Sequence, residues 1–200
     1  PYALNPPGER QGPDQRDQTG AVYDADAKSW TAPFVMAAIN TKIVRRSHAL
    51  AGYPYGKDFG YREAVLTGDG VSGRLKSLAM VATLGSFVTA GSFKPTRKLL
   101  EIFVPEPGEG PGEEQRESGF FNLMQLGVLP DGSILKTRIT GDQDPGYGST
   151  SKMLGECAVC LAKDSLQSDG GVLTPAAAMA GPLFERLTKN AGLTFELLNE

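Results

Sequence analysis

The sequence predicts an α+β fold, with a mixed or mainly antiparallel sheet covered by helices. Helix-like and strand-like segments come in clusters rather than in strict alternation. The clearest pair of strands, at 120–129 and 133–140, is separated by a Pro-Asp-Gly sequence that favours a hairpin. Strict alternation would indicate a doubly wound parallel sheet, so we expect no complete Rossmann module in this chain.

The composition indicates a folded globular chain. Of its 200 residues, 40% are hydrophobic and 22% are charged, which places it well away from disordered sequences. The net charge of -3 and the scattered basic residues argue against nucleic acid and anionic membrane as main partners. Two cysteines make no disulfide framework and no signal peptide opens the chain, so we expect a cytoplasmic protein. The longest uncharged stretch, 77–93, is too short and too rich in glycine for a membrane span and predicts a buried helix.

The first part of the chain predicts an arm followed by a helix. Residues 1–28 are rich in Pro, Gly, Asp and Gln, which is typical of an extended arm or linker. The chain begins at Pro1 rather than at methionine, so we expect that an upstream segment has been removed. The remaining residues, 29–200, are expected to form one domain. Its first apolar residues recur at helical spacing and predict a helix over 31–50, with Pro33 in the first turn.

The rest of the chain, from residue 72 onward, predicts three helices and several strands separated by loops. Small residues over 72–90 predict a closely packed helix that Gly91 ends, and 99–104 predicts a strand. The acidic segment 106–114 is too rich in Gly and Pro for a regular element and predicts a functional or mobile loop. Beyond the hairpin we predict helices over 150–163 and 175–190 and a last strand over 193–198.

The segment 68–73, Gly-Asp-Gly-Val-Ser-Gly, matches the dinucleotide fingerprint G-x-G-x-x-G. Its context does not suit that function, because the strand before it carries Arg62 and Glu63 where a buried parallel strand is apolar. Asp69 adds negative charge where a pyrophosphate would lie, and Glu101 is too far along the chain to bind the ribose. We therefore interpret the segment as a strand-to-helix turn and expect no cofactor in this chain. A self-contained dinucleotide enzyme is the weaker alternative.

The loop before the helix at 150–163 is a candidate anion-binding site. Its glycines and hydroxyl side chains leave N–H groups at a helix N-terminus, where the helix dipole favours negative charge. A phenol in the loop can donate a hydrogen bond or stack on a ligand. An ordinary capped turn is the alternative. The candidate substrate-binding residues here are Tyr147, Gly148, Ser149 and Thr150.

Arg45, Arg46 and Tyr55 are the other candidate substrate-binding residues. Arginines near several tyrosines can hold a carboxylate or phosphate, although a solvated helix face is the alternative. We expect the loops 144–150 and 106–114 to line one cleft, flanked by these arginines. No catalytic residue is assigned.

The only histidine and the two cysteines favour structural roles. His48 lies at the end of a predicted helix, where helix capping is favoured over catalysis, and no Cys/His cluster predicts a metal site. Cys157 and Cys160 have redox spacing, but they lie two turns inside their helix, away from the N-terminus that would activate a thiol. We interpret both as core residues. Their expected apolar face comprises Met153, Leu154, Cys157, Cys160 and Leu161.

Several short segments together resemble one family. They are WTAPF at 30–34, NT at 40–41, VRRS at 44–47, YG at 55–56, PGEGP at 107–111, DPGY at 144–147 and GGVLTP at 170–175. These segments extend over nearly the whole chain. In them the chain resembles the C-terminal portion of saccharopine dehydrogenase-like oxidoreductases, nearest to the trans-acting enoyl reductase branch.

This resemblance implies a substrate-binding and dimerisation region of an NAD(P)-dependent oxidoreductase. Expected partners are a small-molecule substrate, an N-terminal Rossmann module of the same parent protein, which this chain lacks, and a second copy in a homodimer. The substrate is either a saccharopine-type amino acid or an enoyl thioester. Candidate proton donors are Tyr147, Tyr55, Lys57 and His48. The alternative is a non-enzymatic binding or scaffold module that keeps the family fold.

Overall fold

A computed structural model describes residues 1–14, 16–101 and 108–198, and the side chains at 99–101 lie outside this description. The predicted α+β class is confirmed, because the described residues form six helices and two antiparallel three-stranded sheets. The chain divides into two compact units, Pro1–Gly110 and Pro111–Glu200.

The first unit contains the sheet with strand order β1-β2-β3. Its elements are β1 (Val22–Asp24), β2 (Ser29–Pro33), α1 (Ala37–Leu50), β3 (Ala64–Gly68), α2 (Gly70–Ser92) and α3 (Lys94–Glu101). Helix α2 packs against β2, where the buried Ser77 hydroxyl donates a 2.6 Å hydrogen bond to the Thr31 carbonyl. Gly73 lets the start of α2 lie close to β3, since a Cβ atom there would overlap the carbonyl group of Gly68.

Two predicted elements of this unit are wrong. The first part of the helix predicted over 31–50 belongs to β2, and α1 begins only at Ala37. Strand β2 is central and pairs with both β1 and β3, and these long-range hydrogen bonds outweigh the local helical periodicity. The strand predicted at 99–104 is wrong for 99–101, which end α3. Pro95 lies in the first turn of α3, where its missing N–H is harmless, and residues 102–107 lie outside the described residues.

The small-residue helix is confirmed as α2, but the expectation that it is buried is wrong. Only Gly73 and Ser77 of its 23 residues are buried, because β2 and β3 cover one side of its first turns. No helix among the described residues combines the length and apolar character needed to cross a membrane. The large exposed apolar side chains of α2 are Val71, Leu75, Leu78, Met80, Phe87 and Val88.

The second unit contains the sheet with strand order β4-β5-β6. Its elements are α4 (Glu113–Ser118), β4 (Phe121–Val128), β5 (Ile134–Gly141), α5 (Gly148–Lys163), α6 (Pro175–Asn190) and β6 (Leu193–Leu198). The predicted hairpin, both helices and the last strand are confirmed. In the hairpin turn, Gly132 has a φ of 83°, a left-handed conformation that glycine adopts without strain.

Helices α5 and α6 pack together over a small core of Cys160, Met179 and Leu183. The apolar face predicted for α5 is too wide, since Leu154 and Leu161 are 69% and 59% exposed. Only the side of α5 that meets α6 is buried. Cys160 is buried as predicted, whereas Cys157 is half-buried against the same core.

An ion pair at the edge of this core joins the two helices. The Arg186 guanidinium donates hydrogen bonds of 2.5 and 2.8 Å to the Asp164 carboxylate and one of 3.1 Å to Glu156. The bonds from Arg186 lower the pKa of Asp164 to about 2. These ion pairs of Arg186 therefore help to orient α6 on α5, where the apolar contact between the two helices is small.

Truncating the core between α5 and α6 should destabilise the second unit. Leu183 is 7% exposed and packs against Cys160 and Met179. We expect Leu183→Ala to lower the free energy of unfolding by about 2–5 kcal/mol, because it leaves a cavity among close-packed atoms. The matched change Leu161→Ala, on the exposed side of α5, should cost less than about 0.5 kcal/mol. Calorimetric unfolding of both variants is the measurement, and equal losses would contradict the narrow core.

Candidate functional site

A cavity of about 170 Å³ lies in the first unit. It is bounded by the first twelve residues, the last two turns of α1 and the aromatic loop that follows α1. Three residues that the sequence analysis singled out, Arg45, His48 and Lys57, line it. Of the candidate substrate-binding residues of the first unit, Arg45 lines the cavity, whereas Arg46 and Tyr55 are not among its lining residues.

Arg45 lines the cavity and is almost fully buried. Its Nε donates to Asp14 Oδ2 at 2.5 Å and its Nη2 donates to the Tyr61 carbonyl at 2.9 Å. Its Nη1 donates to the Pro1 carbonyl at 3.3 Å. The side chains of Arg45 and Asp14 are 4% and 9% exposed, so this charge pair is shielded from solvent. The guanidinium therefore donates its hydrogen bonds to groups of the chain itself.

Asp14 completes this network from the amino-terminal segment. Its Oδ1 accepts a 2.8 Å hydrogen bond from the Tyr61 N–H, and its own N–H donates to the Tyr2 hydroxyl at 3.0 Å. The Arg45 guanidinium lies 5.5 Å from the centre of the Tyr2 ring. The amino-terminal segment is thus fixed to α1 by buried polar contacts, and β1 adds it to the sheet.

His48 belongs to an aromatic cluster on the wall of the cavity. Its ring is stacked on Tyr55, with centroids 5.6 Å apart, and lies 5.1 and 4.7 Å from the rings of Tyr53 and Phe59. Burial lowers the pKa of His48, and its Nε2 accepts a hydrogen bond from the Tyr55 N–H at 3.3 Å. The imidazole is therefore neutral near pH 7. Tyr55 itself is 73% exposed, and its backbone orients His48.

Two further hydrogen bonds join the amino-terminal segment to α1 and to the loop after it. Arg46 Nη1 donates to the Leu4 carbonyl at 2.6 Å, and the Tyr53 hydroxyl donates to Glu9 Oε2 at 2.6 Å. Lys57 Nζ lies 5.6 Å from the centre of the Tyr53 ring. Lys57 lines the cavity as well.

The turn at 68–73 does not fit a dinucleotide. Strand β3 pairs antiparallel with β2, whereas the fingerprint requires a parallel β-α-β unit. The Asp69 carboxylate accepts from the Gly70 N–H at 2.6 Å, so a negative charge already occupies the start of α2. Gly73 serves close packing of the helix on the strand.

The second candidate place is the loop before α5, in the second unit. The Asp144 carboxylate accepts hydrogen bonds of 3.0 Å from the N–H groups of Gly146 and Tyr147 and one of 2.6 Å from Gly148. The bonds from Gly148, Tyr147 and Gly146 lower the pKa of Asp144. The amide groups at this helix N-terminus are therefore held by a carboxylate of the chain itself.

The other predicted residues of this loop differ in accessibility. The Ser149 hydroxyl is buried and donates to the Gln143 carbonyl at 2.9 Å, and the Thr150 hydroxyl donates to the Pro145 carbonyl at 2.6 Å. Tyr147 is 56% exposed and presents its side chain to solvent. The Tyr147 side chain is thus accessible to a ligand, whereas the Ser149 hydroxyl is not.

The structure brings the predicted residues together in two separate groups. Arg45, Arg46 and Tyr55 lie in the first unit, and the residues at 147–150 lie in the second. Within the second unit the glycine loop meets α4, since the Asp144 N–H donates to the Arg116 carbonyl at 3.0 Å, and Arg116 lies just beyond the acidic segment 106–114. Residues 106 and 107 of the proposed cleft lie outside the described residues, and the cleft stays a prediction.

Asn5 and Asp14 are the residues that sequence reasoning missed. Both lie in the segment interpreted as an arm, and both are part of the cavity wall or its supporting network. The available signal was the pair of adjacent arginines on a helix with one apolar face, because a guanidinium that becomes buried requires a carboxylate partner. That partner could not be located without the fold.

Comparison with known proteins shows that several mycobacterial proteins are similar to this chain in sequence. It is 37% identical over 203 residues to a candidate trans-acting enoyl reductase of Mycobacterium tuberculosis strain H37Rv, covering 94% of this chain and 47% of the relative. It is 36% and 34% identical over 163 residues to the trans-acting enoyl reductases of Mycobacterium ulcerans and Mycobacterium bovis BCG, covering 79% of this chain and 39% of each relative. The chain is similar to trans-acting enoyl reductases. It spans about half the length of the first of these curated relatives.

No family model matches the chain, and no solved structure matches it. The similarity to the mycobacterial proteins therefore rests on sequence alone.

Breaking the buried ion pair should unfold the first unit at lower denaturant concentration. We expect Asp14→Asn to cost about 3–5 kcal/mol, because it leaves the Arg45 guanidinium buried without its counter-charge. The double variant Asp14→Asn/Arg45→Met should lose less than the sum of the single changes. Urea unfolding followed by fluorescence of Trp30, the only tryptophan, reports on this unit.

The matched control is the exposed pair of Arg62 and Asp24, whose arginine side chain is 75% exposed. Arg62→Met should cost no more than about 1 kcal/mol. Additive losses for Asp14 and Arg45 would contradict a direct pair.

The Asp144 cap should make the second unit sensitive to acid. A carboxyl whose pKa is lowered in the folded state stabilises above its ordinary pKa of about 3.9, and the stabilisation is lost as the pH falls through the lower folded value. We expect Asp144→Asn to lower the melting temperature at pH 7 and to have little effect below about pH 3. Thermal unfolding across this pH range is the measurement, with the exposed Asp169→Asn as control. An effect of Asp144→Asn that is independent of pH would contradict the charged cap.

Proposed function

We propose that this chain is the substrate-binding and dimerisation portion of an NAD(P)-dependent oxidoreductase of the saccharopine dehydrogenase-like kind, in the trans-acting enoyl reductase branch. The observation that supports this proposal most strongly is the 37% identity to a candidate trans-acting enoyl reductase over 94% of the chain. The short segments at 30–34, 144–147 and 170–175, which resemble the same family, agree with it.

In the proposed division of labour, the nucleotide is held by a Rossmann module outside this chain. The cofactor, when bound, supplies the hydride, and the protein supplies orientation and a proton donor. The turn at 68–73 supports this division, since its antiparallel strand and capping carboxylate do not suit a pyrophosphate.

Tyr147 is the proton donor that the geometry favours. It is exposed, and it lies at the start of α5 on a loop that Asp144 holds in place. His48 is less suited, because its Nε2 already accepts a hydrogen bond within the aromatic cluster. The candidate substrates are an enoyl thioester and a saccharopine-type amino acid, and the similarity to enoyl reductases favours the thioester.

The test uses the protein encoded by the complete reading frame that contains this chain. We expect it to oxidise NADPH or NADH in the presence of a trans-2-enoyl thioester, measured by absorbance at about 340 nm. Tyr147→Phe should lower kcat by about 10²–10⁴-fold, the usual contribution of a general acid, with unchanged melting temperature. The control is Tyr23→Phe, a half-exposed tyrosine of β1, which should keep full activity.

Two results would count against the proposal. Absence of nucleotide binding and of turnover in the complete protein would favour the non-enzymatic binding module instead. Unchanged kinetics in Tyr147→Phe would remove this residue from the mechanism.

Dimerisation is proposed to use helix α2. The helix carries no charged residue between Lys76 and Lys94, and its exposed side includes Leu75 and Phe87, at 61% and 57% exposure. Exposed apolar patches of this kind mark interfaces, and small residues such as Gly85 let helix backbones approach closely. A second copy of the same helix would provide a self-complementary partner.

A homodimer should therefore be seen by light scattering, and charge on α2 should dissociate it. We expect Leu75→Glu/Phe87→Glu to shift the mass to that of a monomer, because each carboxylate would be buried without a partner at the interface. Leu161→Glu, on the exposed side of α5, is the matched control and should leave the dimer intact. A monomeric wild-type protein at high concentration would rule out this interface.

A further inference from the structure

The loop at 51–61 is joined to the end of α1 through a neutral imidazole. The His48 side chain is 8% exposed, and its Nε2 atom accepts a hydrogen bond from the Tyr55 N–H at 3.3 Å. A ring nitrogen that accepts a hydrogen bond carries no proton, so the proton of this neutral ring is on Nδ1. An imidazolium has a proton on both nitrogens and cannot accept. Protonation of His48 therefore removes this hydrogen bond.

Three aromatic rings of the same loop surround the imidazole. The Tyr55 ring is stacked on it, with an angle of 12° between the two planes, and the Tyr53 ring meets it edge-on at 87°. The Phe59 ring lies 4.7 Å from it, centre to centre. A positive charge on His48 would form where little water can solvate it, and this cost disfavours the charged ring. The closed loop and the neutral imidazole therefore stabilise each other.

The backbone of this loop is held in a conformation that one of its residues does not favour. Tyr53 has a φ of 62°, in the left-handed region that costs free energy for a residue with a Cβ atom. Its N–H donates to the His48 carbonyl at 2.9 Å, and its hydroxyl donates to Glu9 at 2.6 Å. These bonds and the packing against the imidazole hold Tyr53 in this conformation. Loss of the packing would therefore allow the loop to relax.

The charged groups near His48 include two cations. Arg45, one turn earlier on α1, is paired with Asp14, and Lys57 of the loop lines the same cavity as His48. Two features favour a further cation, because the end of a helix and the face of the stacked Tyr55 ring both attract positive charge. Burial outweighs them and lowers the pKa of His48. The closed loop therefore keeps the imidazole neutral to a lower pH than an exposed histidine.

The other titratable groups around the cavity are acids and phenols. Glu9 lines the cavity and accepts the hydrogen bond from Tyr53, whereas Asp58 of the loop is exposed and is not among the lining residues. Burial raises the pKa of Tyr2, and the hydrogen bond to Glu9 raises the pKa of Tyr53. Histidine is the side chain that ordinarily changes charge between about pH 5 and 7, and His48 is the only histidine of the chain. A change in this pH range therefore reports on His48.

We propose that His48 is an acid-sensitive switch that controls the loop at 51–61. With a neutral imidazole the loop is closed against α1, and protonation releases the loop and, through Tyr53 and Glu9, the amino-terminal segment at the cavity. The released histidine has the ordinary pKa of about 6.5, which is higher than the pKa of the closed form. The stabilisation of the closed loop is therefore complete above about pH 6.5 and is lost as the pH falls from there to the lower pKa of the closed form.

NMR of the single imidazole tests the switch independently of any oxidoreductase activity. At about pH 8 the nitrogen chemical shifts should show a bare Nε2 and a protonated Nδ1, which is the less common tautomer of free histidine. On titration the imidazole should change charge with a midpoint below about 6.5, and the rings of Tyr53 and Tyr55 should shift with the same midpoint. The protection of the Tyr55 N–H against hydrogen exchange should fall at least about threefold between about pH 7 and pH 5, because its acceptor is lost.

Two variants separate the charge of His48 from its packing. His48→Gln provides an oxygen that can accept from the Tyr55 N–H and cannot become charged, so the protection of this N–H should change less than about twofold over the same pH range. His48→Phe keeps the aromatic packing but has neither acceptor nor charge, so we expect low protection of the Tyr55 N–H at both pH values. Asp58→Asn, an exposed change in the same loop, is the matched control and should leave the titration of His48 unchanged.

Any one of four results would overturn the proposal. A proton on Nε2 at about pH 8 would show that the imidazole does not accept a hydrogen bond from the loop. A midpoint at or above about 6.5 would show that the closed loop does not exclude the charge. Rings of Tyr53 and Tyr55 that do not follow the titration would show that the loop is not coupled to His48. An equal loss of protection in His48→Gln and in the wild type would place the acid-sensitive group elsewhere.

Discussion

The first unit depends on one buried charge. The Arg45 guanidinium lies inside the fold, and a buried cation is tolerated only where a carboxylate and further acceptors satisfy it. Asp14 and the carbonyls of Pro1 and Tyr61 meet this demand. Because two of these groups come from the amino-terminal segment and one from the loop after α1, the same guanidinium holds both segments in place. The cavity exists because they are held there.

The two glycine-rich segments that resemble ligand-binding loops have one physical feature in common. At the start of α2 the chain places Asp69, and at the start of α5 it places Asp144, so each helix N-terminus receives a carboxylate from its own sequence. The glycines beside these aspartates allow close backbone approach, as at Gly73 and Gly148, where a side chain would collide with neighbouring atoms. Glycine spacing and a helix start are therefore insufficient to identify an anion site, because an adjacent aspartate can occupy it.

The predictions from sequence succeed where local pattern and tertiary environment agree. The hairpin, α5, α6 and β6 were predicted nearly to the residue, since their turns and periodicity are contained in short stretches of chain. Strand β2 was missed because its pairing with β3 joins residues more than thirty positions apart. The width of the apolar face of α5 was overestimated for a related reason. Leu161 has an apolar side chain, but no other described element packs over it, so it is exposed.

The sequence by itself determined the α+β class, most of the elements and the similarity to trans-acting enoyl reductases, because these follow from short-range patterns and from residue identity. The tertiary structure alone decided which polar groups are satisfied. Arg45 could equally have bound a substrate anion, and only the fold brings Asp14 of the amino-terminal segment against α1, where its carboxylate pairs with the guanidinium. Asn5 is inconspicuous in a proline-rich segment, and only the fold buries its side-chain oxygen where no described residue donates a hydrogen bond to it. Satisfaction of a buried polar group depends on distances between segments remote in sequence, and those distances exist only in the folded chain.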